Sequence, residues 1–308
     1  MIIIHIESGL GNQMLSYCEY LSLKYANPNQ EFFIETIVFE IPECNEVICQ
    51  WNGYELEKIF GIKEPKNIKS LFSDDEWTHN WNYPVVFTEV LNRHGLQLEN
   101  VRGDFDPNHN IITGTEDQHK TWKDRLRESY IGNTVKRVLQ SLNEEKYAYA
   151  NDSRDKLFCH TDSDIFTGQW LKFSNRGNDI HLIEAQIRES FRFPEIVDEQ
   201  NLQMVEYLKT VNSVAIHARR GDALGGLAWC YKYGYFKRAV KYIRKHVDNP
   251  EFVFFTNPGS VEWCRDNAKL FGLDIRKDTI KFVDWNKGED SFRDMQLMAM
   301  CKHNIIVP

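Results

Sequence analysis

Ser213-Val214-Ala215-Ile216-His217-Ala218-Arg219-Arg220-Gly221-Asp222 is the stretch on which the fold turns. A short apolar run reads as a buried strand, and the chain leaves it through a charged loop. The pattern then repeats. A helix is expected from about Tyr235 to His246, a strand over 251–255, a helix over 261–271, a strand over 280–283, a helix over 291–301 and a further strand from Asn304. Strands alternating with helices through short links predict a parallel sheet. The first residues begin in the same way. Ile2–Ile6 is a strand, Ser8–Gln13 a turn and Met14–Lys24 a helix, with strand expected again over 32–35 and 36–39. Helices are also expected over 178–192 and 198–209, whereas 70–165 is less regular, with a helix over 120–140. The fold class is therefore α/β, with two doubly wound layers. The boundary is expected near 205–212, dividing 1–208 from 209–308.

Composition narrows the function classes. The chain has 308 residues, 42% of them hydrophobic and 27% charged, which is enough for a large core and argues against wholesale disorder. A formal net charge of −8 argues against nucleic acid or an anionic membrane as the main partner. The seven cysteines are scattered and form no CxxC pair, so free thiols in a reducing compartment are expected. No signal peptide or membrane span is read, which predicts a cytoplasmic protein with at most peripheral contact to the inner membrane.

Two loops carry candidate chemistry. Gly9-Leu10-Gly11-Asn12-Gln13 joins a strand to a helix, where glycines let backbone approach a ligand and the helix start offers N–H groups to an anion. It lacks the GxGxxG spacing and the P-loop lysine, so a tight turn is the competing reading. His217-Ala218-Arg219-Arg220-Gly221-Asp222 lies at the carboxyl end of a strand, where open α/β sheets bind ligands. Its adjacent arginines are planar forks suited to a diphosphate, and His217 and Asp222 can orient them or handle protons. The competing readings are a solvated basic pair and a core histidine. Arg220-Gly221-Asp222 also spells an adhesion tripeptide, but so short a string recurs by chance. Asp104-Phe105-Asp106 and Asp162-Ser163-Asp164 have metal-binding spacing, yet an acidic chain yields such triplets by chance, so no metal is expected.

Taken together, these residues resemble the α-1,2-fucosyltransferase family of bacteria and animals. Gly9-Leu10-Gly11-Asn12-Gln13-Met14 matches its first motif and His217-Ala218-Arg219-Arg220-Gly221-Asp222 its His-x-Arg-Arg-x-Asp motif. A third block, Asp284-Trp285-Asn286 followed by Ser291–Met298 and Cys301–Ile306, is similar too. The resemblance implies a GT-B fold, two Rossmann-like domains facing a cleft, with residues 1–208 on the acceptor side and 209–308 binding the donor. It implies an inverting galactoside α-1,2-fucosyltransferase that moves L-fucose from GDP-fucose to the 2-hydroxyl of galactose in an oligosaccharide or lipid-linked glycan, as in polysaccharide biosynthesis. No metal or cofactor is implied.

By the same resemblance Arg219 meets the β-phosphate, Arg220 and Asp222 support the loop, and Gly11, Asn12 and Gln13 face the donor from the first domain. Asp222, His217 and Glu7 are the candidates for a general base, with Asp222 first. Trp51, Trp77, Trp81 and Trp122 are candidates for stacking on acceptor sugars. The chain departs from the family at Ser8, where glycine is common, and at Thr256-Asn257-Pro258, where paired aspartates are common. It also ends at Pro308, before the family's Asn-Ser-Ser/Thr-Phe-Ser-Trp-Trp block, which reads as a shortened second domain. A different linkage, a different GDP-sugar, or a nucleotide- or glycan-binding protein without catalysis are the alternative readings.

Overall fold

The computed structural model describes residues 1–40, 52–78, 93, 98–101, 158, 160–162, 164–167, 179–220, 230–257 and 259–307. The chain forms two compact units, Met1–Arg192 and Phe193–Pro308. The division lies upstream of the boundary expected at 208/209. The cause is the helix Glu199–Thr210, whose Met204 and Leu208 share a core with Ala215, Val253 and Leu297 of the second unit.

The first unit is built on a five-stranded sheet. Its strands are β1 (Ile2–His5), β2 (Phe32–Glu35), β3 (Lys66–Asn67), β4 (Leu98–Val101) and β5 (Asp164–Thr167), in the order β3-β2-β1-β5-β4. All neighbouring strands are parallel. Ile2, Ile3 and Ile4 are completely buried, as expected for the central strand of a parallel sheet covered on both faces. Helix α1 (Leu10–Ala26) follows β1 and packs Tyr17, Cys18 and Leu23 inward. Shorter helices α2 (Leu56–Phe60), α3 (Asp74–Thr78) and α4 (Glu184–Ser190) complete the described part. The strand expected over 36–39 is a 3₁₀ turn, Ile37–Phe39. The expected helix over 120–140 lies outside the described residues.

The second unit has four parallel strands, β6 (Asn212–Ala218), β7 (Pro250–Thr256), β8 (Ile280–Val283) and β9 (His303–Ile305), in the order β8-β7-β6-β9. Side chains alternate across this sheet, which explains its two cores. Val214, Ile216, Phe252 and Phe254 pack with Phe236 and Val240 of α6 (Tyr235–His246) and Cys264 of α7 (Val261–Asp266). Ala215, Val253 and Phe255 pack on the opposite face, with Leu208 of α5 (Glu199–Thr210) and Leu297 of α8 (Phe292–Met300). Asp198 caps α5 by accepting the Asn201 N–H at 2.8 Å. Basic residues Arg244, Lys245 and His246 close α6, where they complement the helix dipole. Helices on both faces of a parallel sheet confirm the α/β class.

Candidate functional site

Each unit offers one site, and the strand order dictates where it lies. In the second unit β6 is flanked by β7 and β9, so the chain winds one way from β6 and then back the other. Ligand crevices form at the carboxyl ends of strands around such a reversal. Arg219 and Arg220 follow β6 directly at that edge. β1 occupies the same place in the first unit, between β2 and β5, and is followed by Glu7 to Gln13.

The arginine loop is held by its neighbours. Thr256 Oγ1 donates to the Ala218 carbonyl at 2.8 Å, and the Arg220 N–H donates to Asn257 Oδ1 at 2.6 Å. Thr256 and Asn257, which stand where the family commonly carries aspartates, therefore brace the loop from β7. Tyr231 donates its hydroxyl to the Arg219 carbonyl at 2.8 Å. The Arg220 guanidinium lies 3.5 Å over the Trp263 ring, and its buried Nε has no partner among the described residues. That stacking fixes the fork as a support rather than a mobile surface cation. Arg219 is half-buried beside it. Burial, and then the Arg219 charge, push His217 below its ordinary pKa, so it is a neutral imidazole near pH 7. Gly221 and Asp222 lie outside the described residues.

The third motif block stands at the carboxyl end of β8 and forms a polar network. Asn201 accepts from Trp285 Nε1 at 2.8 Å and donates to Asn286 Oδ1 at 2.8 Å, while Asn286 donates to Asp294 at 2.7 Å. Burial, with a smaller push from nearby Asp284, raises Asp294 to about 6 against the Asn286 hydrogen bond.

In the first unit the Gly9-Leu10-Gly11-Asn12-Gln13 string is the start of the helix rather than a loop before it. Gly9 is the N-cap in extended conformation, and Gly11 and Asn12 lie in the first turn. Asn12 is half-buried, and its side-chain amide has no partner among the described residues. Gly11 is exposed. Gln13 is completely buried. Its Nε2 donates to the carbonyls of Ser8 and Gly53, both at 2.9 Å, and its Oε1 accepts the Glu55 N–H at 2.9 Å. With both amide hydrogens committed, Gln13 clamps the turn. The Glu55 side chain, 5% exposed, lies close to the Leu10 N–H, and burial holds its carboxyl above the ordinary range. Ser8 has a positive φ of 65°, which accounts for the glycine common there in similar sequences.

Beside Glu7, a pair that the sequence did not flag lies at the ends of β1 and β2. His5 and Glu35 are register partners, and the His5 Nδ1 is 2.5 Å from a Glu35 carboxylate oxygen. The His5 Nε2 lies 3.3 Å from Glu7. Burial pulls His5 down, but the Glu35 charge and hydrogen bonds with Glu35 and Glu7 overcome it and hold His5 at about 9. The available signal was a polar residue closing each of two otherwise apolar strands. Nearby, a cleft of about 240 Å³ is lined by Thr36, Phe39, Glu40, Tyr54, Glu57 and Asn67, among others.

Trp77 is a core residue, 4% exposed, with its indole N–H donated to Glu40 at 2.5 Å. Trp51, Trp81 and Trp122 lie outside the described residues, as does Asp104-Phe105-Asp106. No cluster of metal-binding side chains and no helix able to cross a membrane occur among the described residues. The cysteines that are described, Cys18, Cys230, Cys264 and Cys301, are free and buried.

The sequence model of glycosyl transferase family 11 matches residues 123–307, more than half of the chain. The chain belongs to glycosyl transferase family 11. It is also similar to an alpha-1,2-colitosyltransferase of Escherichia coli, at 28% identity over 149 residues. That match covers 46% of this chain and 46% of the relative, so it spans about half the relative's length. No solved structure matches the chain. The arginine loop, β7, β8 and the Asp284–Ile306 block all fall inside the family match.

Proposed function

We propose that this family 11 member is an inverting, metal-independent transferase of the GT-B type. It would move L-fucose, or a related 6-deoxy sugar, from its GDP donor to the 2-hydroxyl of a galactose-bearing glycan. The observation that carries the reading is the pair Arg219-Arg220, braced at the strand reversal of a chain that matches the family over 123–307. The second unit would hold GDP. Arg219 meets the β-phosphate, and Arg220, stacked on Trp263, keeps the loop in shape. Negative charge grows on the diphosphate as the sugar–oxygen bond breaks, and a fixed guanidinium stabilises that charge more in the transition state than before it. Neutral His217 adds no charge of its own and leaves this task to Arg219. Asn12, half-buried in the first turn of α1, would be a donor contact. The cleft beside Phe39 and Tyr54, with Glu40, Glu57 and Asn67 on its walls, combines aromatic faces with polar groups suited to an acceptor sugar. Asp222 supports the arginine loop.

GDP-fucose and GDP-colitose should be compared as donors with β-galactoside acceptors, in EDTA and in manganese. Colitose lacks the 3-hydroxyl of fucose. A strong preference for fucose therefore reports a polar group that meets that hydroxyl, and tolerance of both reports none. Transfer undiminished in EDTA supports the metal-free reading, and transfer only with manganese refutes it. Arg219→Ala should lower transfer by about a hundredfold to a thousandfold while the protein stays folded. Near-normal turnover by that variant removes Arg219 from the phosphate. GDP binding without sugar transfer to any galactoside would favour a binding protein.

A further inference from the structure

Three charged side chains are gathered at one end of the first sheet. Glu35 closes β2 with its side chain wholly buried, His5 closes β1 at 3% exposure, and Glu7 stands at the rim with 29% of its side chain exposed. Both imidazole nitrogens are engaged by carboxylates, Nδ1 by Glu35 and Nε2 by Glu7. The ring therefore has no freedom to turn. A buried ion pair is a weak source of stability, since apolar side chains of equal volume usually do as well. Charges concentrated in this way at the end of a strand reversal are more often found where a proton moves. Only Glu7 of the three reaches the surface, and it does so one residue before the Ser8 turn that leads to Asn12.

We propose that Glu7 is the general base that takes the proton of the acceptor hydroxyl, with His5 and Glu35 as positioning residues that fix its carboxylate. The proposal rests on the transferase reading above. In the step, the acceptor oxygen forms a bond to the anomeric carbon of the donor sugar. The bond from that carbon to the β-phosphate oxygen breaks, and its electron pair leaves with GDP. The hydroxyl proton passes to the Glu7 carboxylate. No further reagent is needed. His5 Nε2, 3.3 Å from Glu7, holds that carboxylate in place, and a sugar that is largely cationic in the transition state requires only a weak base. Asp222 is the rival for this role. It follows the two arginines by two and three positions in the sequence.

The test uses the full chain with GDP-fucose and a β-galactoside. Glu7→Gln is expected to lower kcat for transfer by about a hundredfold to ten-thousandfold, the usual worth of a positioned base. GDP affinity and donor KM should stay within a few-fold of the original. Glu7→Asp should recover part of the loss. Glu35→Gln should lower kcat less than Glu7→Gln, again with donor KM unchanged. Asp222→Asn should have a smaller effect than Glu7→Gln. A folded Glu7→Gln protein with near-normal transfer overturns the assignment and leaves the transferase reading standing. Loss of GDP binding together with transfer marks Glu7 as structural and also overturns it. Absence of transfer by the unsubstituted protein with every GDP-sugar overturns both.

Discussion

Gln13→Met is the substitution that most directly tests how the first motif works. Methionine keeps the volume of glutamine and removes all three hydrogen bonds of the clamp, to Ser8, Gly53 and Glu55. Two bonds at a net worth of about 1 kcal/mol each give about 2 kcal/mol. The buried Glu55 N–H is left unpaired in addition, at about 1–3 kcal/mol. The expected loss is therefore about 3–5 kcal/mol, a large part of the ~5–15 kcal/mol that holds a typical protein folded. Gln13→Glu sharpens the test. It can still accept from Glu55, but it turns a buried charge toward two carbonyl oxygens, so it should cost at least as much. Urea unfolding followed by circular dichroism would read the change as a lower midpoint at an unchanged slope. A loss below about 1 kcal/mol for Gln13→Met would refute the clamp and return Gln13 to the list of donor contacts.

Three further outcomes follow from the charges and rings. His5 is held at about 9 against an ordinary value of 6.5, so the folded protein keeps a proton that the unfolded chain loses. That stability is fully present below pH 6.5 and disappears as pH rises through about 9. The unfolding free energy read from urea titrations should therefore fall over this window by roughly 1–3 kcal/mol, and much less in His5→Gln. Asp294 is raised to about 6, so its ionisation opposes folding above that pH. Asp294→Asn, which keeps an oxygen for Asn286, should leave the melting temperature at pH 7.5 equal or higher, and a clear drop would count against the burial argument. Trp263→Leu removes the ring under Arg220 and should weaken GDP binding about tenfold, which calorimetry can measure, whereas unchanged affinity would separate the stacking from the nucleotide.

The elements of the second unit were legible because each is short, strongly patterned and bounded by links that leave little choice. The helix from Tyr235 to His246 is found at its expected bounds, and β6, β7 and β8 lie within a residue of theirs. The start of α1 was misplaced because two glycines read as a loop, whereas Gly9 is the N-cap and its carbonyl accepts the Asn12 and Gln13 N–H groups. Gln13 was placed on the ligand for a related reason. A motif marks a residue as needed without saying which way it faces, and its partners at Gly53 and Glu55 cannot be seen from residues 9–14. His5 and Glu35 were hidden in apolar strands, and only the parallel register of β1 with β2 brings them together. Arg219 and Arg220 were legible because the loop follows a strand end, a position that parallel topology itself makes a site.

The position of β1 has a consequence for synthesis. Its residues are made well over a hundred positions before those of β5, yet they form the middle of the sheet, and Ile2 pairs with Ile165 on one side and Phe32 on the other. At about 5–20 residues per second, the β5 side of three consecutive isoleucines stays without its partner for roughly ten to thirty seconds of translation. During that interval the nascent chain carries an open apolar strand edge, the kind that pairs with other chains. Expression yield should thus respond to chaperone supply and translation rate more than the stability of the finished sheet would suggest.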